Sequence, residues 1–129
     1  MIVIDASLAL DLALVTPGVD DLFDRVEAVG KLFAPEVIDL EILQALRRQV
    51  RLKIVNESRA HVALELFNSL PIKRYSHQPL APRIWALREN MTAYDAAYFA
   101  LAEVLRAPLW TRDTKYVGAP MHSAEIVVV

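Results

Sequence analysis

There is no cysteine among these 129 residues. That removes disulfide frameworks, zinc–thiolate sites and cysteine nucleophiles together, and it suits a reducing, cytoplasmic setting. Glycine is nearly as scarce: Gly18, Gly30 and Gly118 are the three, and none stands in an expected strand-to-helix turn. The dinucleotide fingerprint and the phosphate-cradling P-loop both need clustered glycines there, so nucleotide-cofactor redox chemistry and P-loop NTP hydrolysis are not expected. No uncharged apolar run approaches the roughly 18 residues of a membrane span. The apolar N-terminus, MIVIDASLALDLALV, lacks a basic leader and is broken by Asp5 and Asp11, so it does not read as a signal peptide. A dominant charge is missing too, since 14 Lys and Arg against 16 Asp and Glu leave a net charge of −2. No global basic field is then available to hold nucleic acid, and any electropositive surface must be local.

What is abundant is apolar side chain, at 55% of residues with a mean hydropathy of +0.30. A domain this small leaves much of its surface exposed. The excess therefore fills a Leu/Ala-rich core, covers a subunit or partner surface, or does both. Met1 to Ile4 is a short β-branched run and reads as a buried strand. Helical periodicity follows from Asp5 to Val15. Pro17 suits the first turn of a second helix that Gly30 stops. Leu32 to Ala34 is a brief strand, after which Pro35 is expected to open a long helix reaching Leu52. A further helix covers Glu57 to Leu70, and Ile72 to Tyr75 is a strand. Pro79 and Pro82 precede a helix over Arg83 to Glu89. Thr92 to Arg106 is strongly helical, Leu109 to Thr111 is a strand, and Glu125 to Val129 is a terminal strand. Short apolar strands alternating with amphipathic helices predict an α/β fold with a parallel sheet covered on both faces. No repeat or linker divides the chain, so residues 1–129 are expected to form a single domain.

Four of the sixteen acids stand where chemistry is expected. In open α/β sheets, ligands bind beyond the carboxyl ends of strands. Asp5 directly follows the first strand, and Asp113 lies two residues past the strand ending at Thr111. Capping explains an Asp at such a junction equally well. Asp95 sits in Thr92-Ala-Tyr-Asp95, a hydroxyl followed three residues later by an acid, which is a capping-box pattern; a carboxylate in that first turn can still reach a cation. Glu41 lies within about 60° of Val37, Ile38 and Ala45 on the helix surface. An acid beside an apolar stripe is costly unless satisfied, so Glu41 either snorkels to water or reaches a polar crevice. Carboxylates converging without Lys or Arg between them raise one another's pKa, and a hard cation relieves this. Mg²⁺ and Mn²⁺ favour such oxygen ligands together with substrate phosphate. His61, His77 and His122 are scattered and have no zinc-ligand spacing.

IDAS at Asp5, EILQALRR at Glu41, TAYDAAY at Asp95 and TRDTKY at Asp113 together resemble the PIN domain, and more closely the VapC-type toxins of bacterial toxin–antitoxin pairs. The order Asp, Glu, Asp, Asp runs through nearly the whole chain. IDAS alone is a weak motif; TAYDAAY followed by TRD is a specific one. The resemblance implies a three-layer α/β/α sandwich with a short, mostly parallel central sheet. It also implies a Mg²⁺- or Mn²⁺-dependent endoribonuclease, a small antitoxin as partner, and a homodimer. Asp5, Asp95 and Asp113 match the family's metal-binding acids, and Glu41 completes the site. Ser7 matches its hydroxyl two residues after the first Asp, and Thr111 the small polar residue ahead of the last.

RNA contact would then come from local charge. Arg47, Arg48, Arg51 and Lys53 crowd the end of the Glu41 helix, where cations also complement the helix dipole. Arg48, two turns from Glu41 on nearly the same face, is the first candidate, and Arg112 and Lys115 flank Asp113. Three other readings are weaker. A non-catalytic RNA- or protein-binding module has little use for four mutually repelling carboxylates. A haloacid-dehalogenase-type phosphatase would want a second Asp where Ser7 stands. A DNA-directed nuclease would use the same chemistry and differ in groove shape.

Overall fold

The computed structural model describes all of residues 1–129. Its elements run β1 (Ile2–Ile4), α1 (Ala6–Leu14), α2 (Asp20–Val29), β2 (Leu32–Pro35), α3 (Ile38–Arg51), α4 (Glu57–Ser69), β3 (Ile72–Tyr75), α5 (Ala81–Ala86), α6 (Ala93–Leu105), β4 (Leu109–Thr111) and β5 (Ile126–Val128). Single 3-10 turns lie at Gln78–Leu80 and Thr114–Tyr116. The strands form one sheet in the order β3-β2-β1-β4-β5. Every pairing is parallel, so the sheet expected to be mostly parallel is wholly so.

β1 is central, and Ile2, Val3 and Ile4 are all buried, as a strand covered on both faces requires. From β1 the chain winds outward through β2 and β3, then crosses back to β4 on the other side. The two winding directions part between β1 and β4, and the crevice at such a switch point opens beyond the carboxyl ends of those strands. α1 packs against α3 and α4, while α6, backed by α5, lies on β1, β2 and β4. The layers are therefore helix, sheet and helix. Ala96, Ala97, Ala100 and Ala102 are buried in α6 beside Tyr98, Phe99 and Leu101. Their small side chains let this helix, apolar on nearly every side, approach the sheet closely.

Three sequence expectations are corrected. Pro35 does not open the long helix; it ends β2, opposite Tyr75 of β3, and α3 starts at Ile38. The Glu36 N–H donates to the Tyr75 carbonyl at 2.9 Å. Alternation along the strand thus turns the Pro35 nitrogen toward β1, whose pairing with β2 ends at Phe33, so no ladder bond is lost. Pro17 lies in a turn, and α2 begins only at Asp20. The helix expected over Arg83 to Glu89 is α5, Ala81–Ala86, with Pro82 in its first turn, a position where a missing N–H costs nothing.

Candidate active site

Asp5 and Thr111 meet because β1 and β4 are neighbours, with Ile4 opposite Trp110. Asp5 is the N-cap of α1, its Oδ1 accepting from the Leu8 N–H at 3.0 Å. The capping reading is therefore correct, and it is not the whole of the residue's role. The Ser7 hydroxyl donates to the same oxygen at 2.8 Å, and the Thr111 hydroxyl donates to Oδ2 at 2.6 Å. Ser7 Oγ in turn accepts from the Arg112 N–H, and Thr111 Oγ1 from the Asp113 N–H. Two hydroxyls thus splice the end of β4 onto Asp5. Asp5 is only 3% exposed, and no cation bonds to it. Burial pushes its carboxyl above the ordinary range, against the hydrogen bonds from Thr111, Leu8 and Ser7 that favour the charged form.

Glu41 reaches the same region from the first turn of α3. The Tyr98 hydroxyl of α6 donates to its Oε1 at 2.7 Å, so the acid neither snorkels freely nor stands unsatisfied. Burial again raises this carboxyl, the Tyr98 bond opposes the rise, and the charges of Asp95 and Asp5 add to it. Asp95 stands one turn before Tyr98 in α6, and its backbone N–H is capped by Thr92 Oγ1 at 3.2 Å. Asp95 Oδ1 accepts from the Tyr116 hydroxyl at 2.7 Å. Asp113 caps the 3-10 turn after β4 by accepting from the Lys115 N–H at 3.0 Å.

Sequence reasoning missed Tyr98 and Tyr116. Burial and the adjoining carboxylates hold both phenols far above their ordinary pKa, so they stay protonated and donate. No local spacing announced them, because neither bonds the acid three residues before it: Tyr98 reaches Glu41 and Tyr116 reaches Asp95. A second correction concerns charge. The acids were expected to converge with no Lys or Arg between them. Instead Lys115 Nζ lies 3.3 Å from Asp113 Oδ2 and 3.8 Å from Asp95 Oδ2. The Asp95 charge, with Asp113 beside it, holds this ammonium more firmly protonated than usual.

Of the RNA-contact candidates, Lys115 joins the acids. Arg112 turns away: its Nε meets Asp11 at 2.7 Å and its Nη1 donates to the Val129 carbonyl, which ties the end of the chain down. Arg48 is exposed in the last turn of α3, roughly 10 Å along the helix from Glu41. The histidines stay outside. His122 stacks edge-on against Phe99 at 4.5 Å and accepts from the Ala124 N–H, while His77 lines a groove of about 620 Å³ with Leu40, Trp85 and Tyr94. That groove adjoins the acids without containing them, since Leu40 and Tyr94 directly precede Glu41 and Asp95. Leu40, Trp85 and Tyr94 are 67%, 68% and 63% exposed, so part of the apolar excess does lie at the surface.

The donor set is all oxygen, with Asp5 buried and bonded by neutral donors only, and this fits a hard divalent cation. As the side chains stand, no three of the acids are close enough to ligate a single ion; Lys115 lies between two of them.

The all-parallel sheet carries its acids beyond the carboxyl ends of β1 and β4, at the switch point where open α/β sheets take their ligands. The chain belongs to the PIN domain family, whose model matches residues 2–119. It is similar to Ribonuclease VapC12 of Mycobacterium tuberculosis, 36% identical over 129 residues, covering 100% of this chain and 99% of that protein. Ribonuclease VapC1 of the same organism is 38% identical over 131 residues, covering 98% and 96%. Among solved structures, VapBC2 from Rickettsia felis, bound to a DNA fragment from its promoter, superposes with a TM-score of 0.73 at 14% identity, covering 98% of both chains. PAE2754 from Pyrobaculum aerophilum gives 0.72 at 26% identity, covering 96% of this chain and 81% of that one. No helix is long and apolar enough to cross a membrane.

Proposed function

We propose that this chain is an endoribonuclease and the toxin of a toxin–antitoxin pair, hydrolysing RNA phosphodiester bonds with a Mg²⁺ or Mn²⁺ ion held by Asp5, Glu41, Asp95 and Asp113. The observation that carries the reading is the convergence of acids from β1, α3, α6 and the β4 turn on one crevice, with Asp5 buried without a cationic partner. Full-length relatives that are named ribonucleases support it. Asp5, Glu41, Asp95 and Asp113 would hold the ion, which would supply a Lewis acid for the phosphodiester and for an attacking water. The chain's own residues do the positioning. Ser7, Thr111 and the Leu8 N–H fix the Asp5 rotamer, and Tyr98 and Tyr116 each bind one oxygen of Glu41 and Asp95, leaving the second available. With Arg112 engaged elsewhere, Lys115 and Arg48 are the basic residues proposed to meet RNA phosphates, where each contact steepens the salt dependence of binding.

A small antitoxin is the proposed partner, supported by the fold shared with a VapBC complex. The surface-exposed part of the apolar excess supports a homodimer, which mass measurement in solution tests. For the activity, labelled total RNA is incubated with purified protein and Mg²⁺ or Mn²⁺, beside EDTA and Asp5→Asn controls. Cuts that vanish in both controls support the reading. Intact RNA with wild type, antitoxin carry-over excluded, leaves a non-catalytic RNA- or protein-binding module as the better account. Equal cleavage of single-stranded DNA would instead favour a DNA-directed nuclease.

A further inference from the structure

Lys115 is the cation whose ammonium meets the acids of the crevice. Its backbone N–H is fixed to Asp113 Oδ1 at 3.0 Å, while its side chain bends back so that Nζ lies 3.3 Å from Asp113 Oδ2 and 3.8 Å from Asp95 Oδ2. The other oxygen of Asp95 is held by the Tyr116 hydroxyl at 2.7 Å, so Oδ2 is the one left to face the ammonium. Nζ also lies 5.7 Å from the Tyr116 ring centroid, within cation–π range. One residue thus supplies a positive charge between two carboxylates that come from different elements, α6 and the turn after β4. The side chain is 64% exposed, against 23% for Asp95 and 35% for Asp113, so its ammonium can leave without disturbing the core.

We propose that Lys115 is a tethered cation that occupies the place between Asp95 and Asp113 until a divalent ion enters, so that metal binding requires its ammonium to swing out and Lys115 sets the metal affinity. A monovalent ammonium offers a point charge on a flexible stem, and it neutralises the outer acids without drawing Asp5 or Glu41 toward a common centre. The proposal rests on the metal-site reading above and adds that the site carries its own competitor.

The test is calorimetric titration of Mn²⁺ into the full chain, with no RNA present, for wild type, Lys115→Met, Lys115→Arg and Asp113→Asn. Lys115→Met keeps the stem and the backbone N–H and removes the charge. It should tighten Mn²⁺ binding by roughly three- to tenfold, the range expected when an exposed charge facing two carboxylates is removed. Lys115→Arg should stay near wild type, and Asp113→Asn should weaken binding. Unchanged or weaker binding in Lys115→Met, with Asp113→Asn still impaired, overturns the competitor role and leaves the metal site standing. Equal tightening in Lys115→Arg overturns it as well, because the effect would not then follow charge. If neither wild type nor Lys115→Met binds Mn²⁺, the metal-site reading fails and takes this proposal with it.

Discussion

The inner and outer halves of the acid cluster are built differently. Asp5 is buried and Glu41 partly buried, and hydroxyls and a backbone N–H bind them. Neutral donors orient a carboxylate and favour its charged form, but they bring no opposite charge, so the cost of burial dominates and both carboxyls are raised. Asp95 and Asp113 are likewise partly exposed and have the Lys115 ammonium between them. The inner half is rigid and short of positive charge. The outer half is already compensated and adjustable. A divalent ion would supply the missing charge to the first and displace a cation from the second.

The largest expected effect separates the two roles of Asp5. Both Asp5→Asn and Asp5→Ala should lower RNA cleavage by more than about a hundredfold, beyond the 10–100-fold typical of residues that only support a ligand. Their stabilities should diverge in EDTA. Asn retains an oxygen for the Leu8 N–H and Ser7, so its melting temperature should equal or exceed that of wild type. Ala strands the Leu8 N–H and the Thr111 hydroxyl at about 1–3 kcal/mol each. Equal melting of the two variants would mean the cap is idle.

Next in size are the phenols. Tyr98→Phe and Tyr116→Phe should each cut Mn²⁺ affinity or cleavage by about 10–100-fold, with Tyr98→Phe the more destabilising because Glu41 is then buried without its donor. Titration and melting curves together would reveal the reverse order, which contradicts the inner–outer division.

A pH series sharpens the comparison further. The carboxyls of Asp5 and Glu41 are raised in the folded state, so their contribution to metal-free stability is complete below their unfolded values near 4. It is lost as pH rises through the raised values. Glu103 has the opposite sign: the Arg83 bond lowers its carboxyl, and its contribution is lost as pH falls through that lower value. Urea unfolding in EDTA should therefore show stability declining above about pH 4, and Asp5→Asn should flatten that decline. Mg²⁺ should reverse the slope, because ligands must be deprotonated to bind it.

The smallest effect belongs to Arg112. Arg112→Ala loses a surface ion pair with Asp11 worth about 0.2–1 kcal/mol and loosens the C-terminus. If Arg112 contacts no RNA, the salt dependence of RNA binding should stay unchanged.

The strand-end acids were legible because their placement follows from the parallel sheet alone: a strand must end where Asp5 begins, and Asp113 follows another by two residues. The hydroxyls at Ser7 and Thr111 came only with the family resemblance. Tyr98 and Tyr116 were missed because their partners lie 57 and 21 residues away in sequence, pairings that only the tertiary fold creates. Lys115 was read as flanking Asp113, but its position between two acids depends on the 3-10 turn folding the stem back. Arg112, its neighbour by three residues, was read the same way and points to Asp11 instead. Pro35 misled because local preference favours a helix start, while pairing with β3 held it as the last residue of β2.

Sulfur substitution at the cleaved phosphate probes the proposed cation, held by these acids against the phosphate being cut. Once the cut site is mapped, an RNA carrying one sulfur in place of a non-bridging oxygen there is offered with Mg²⁺ and with the softer Mn²⁺. The account predicts that one isomer is cut slowly with Mg²⁺ and regains speed with Mn²⁺. Equally fast cleavage of both isomers with Mg²⁺ would contradict it.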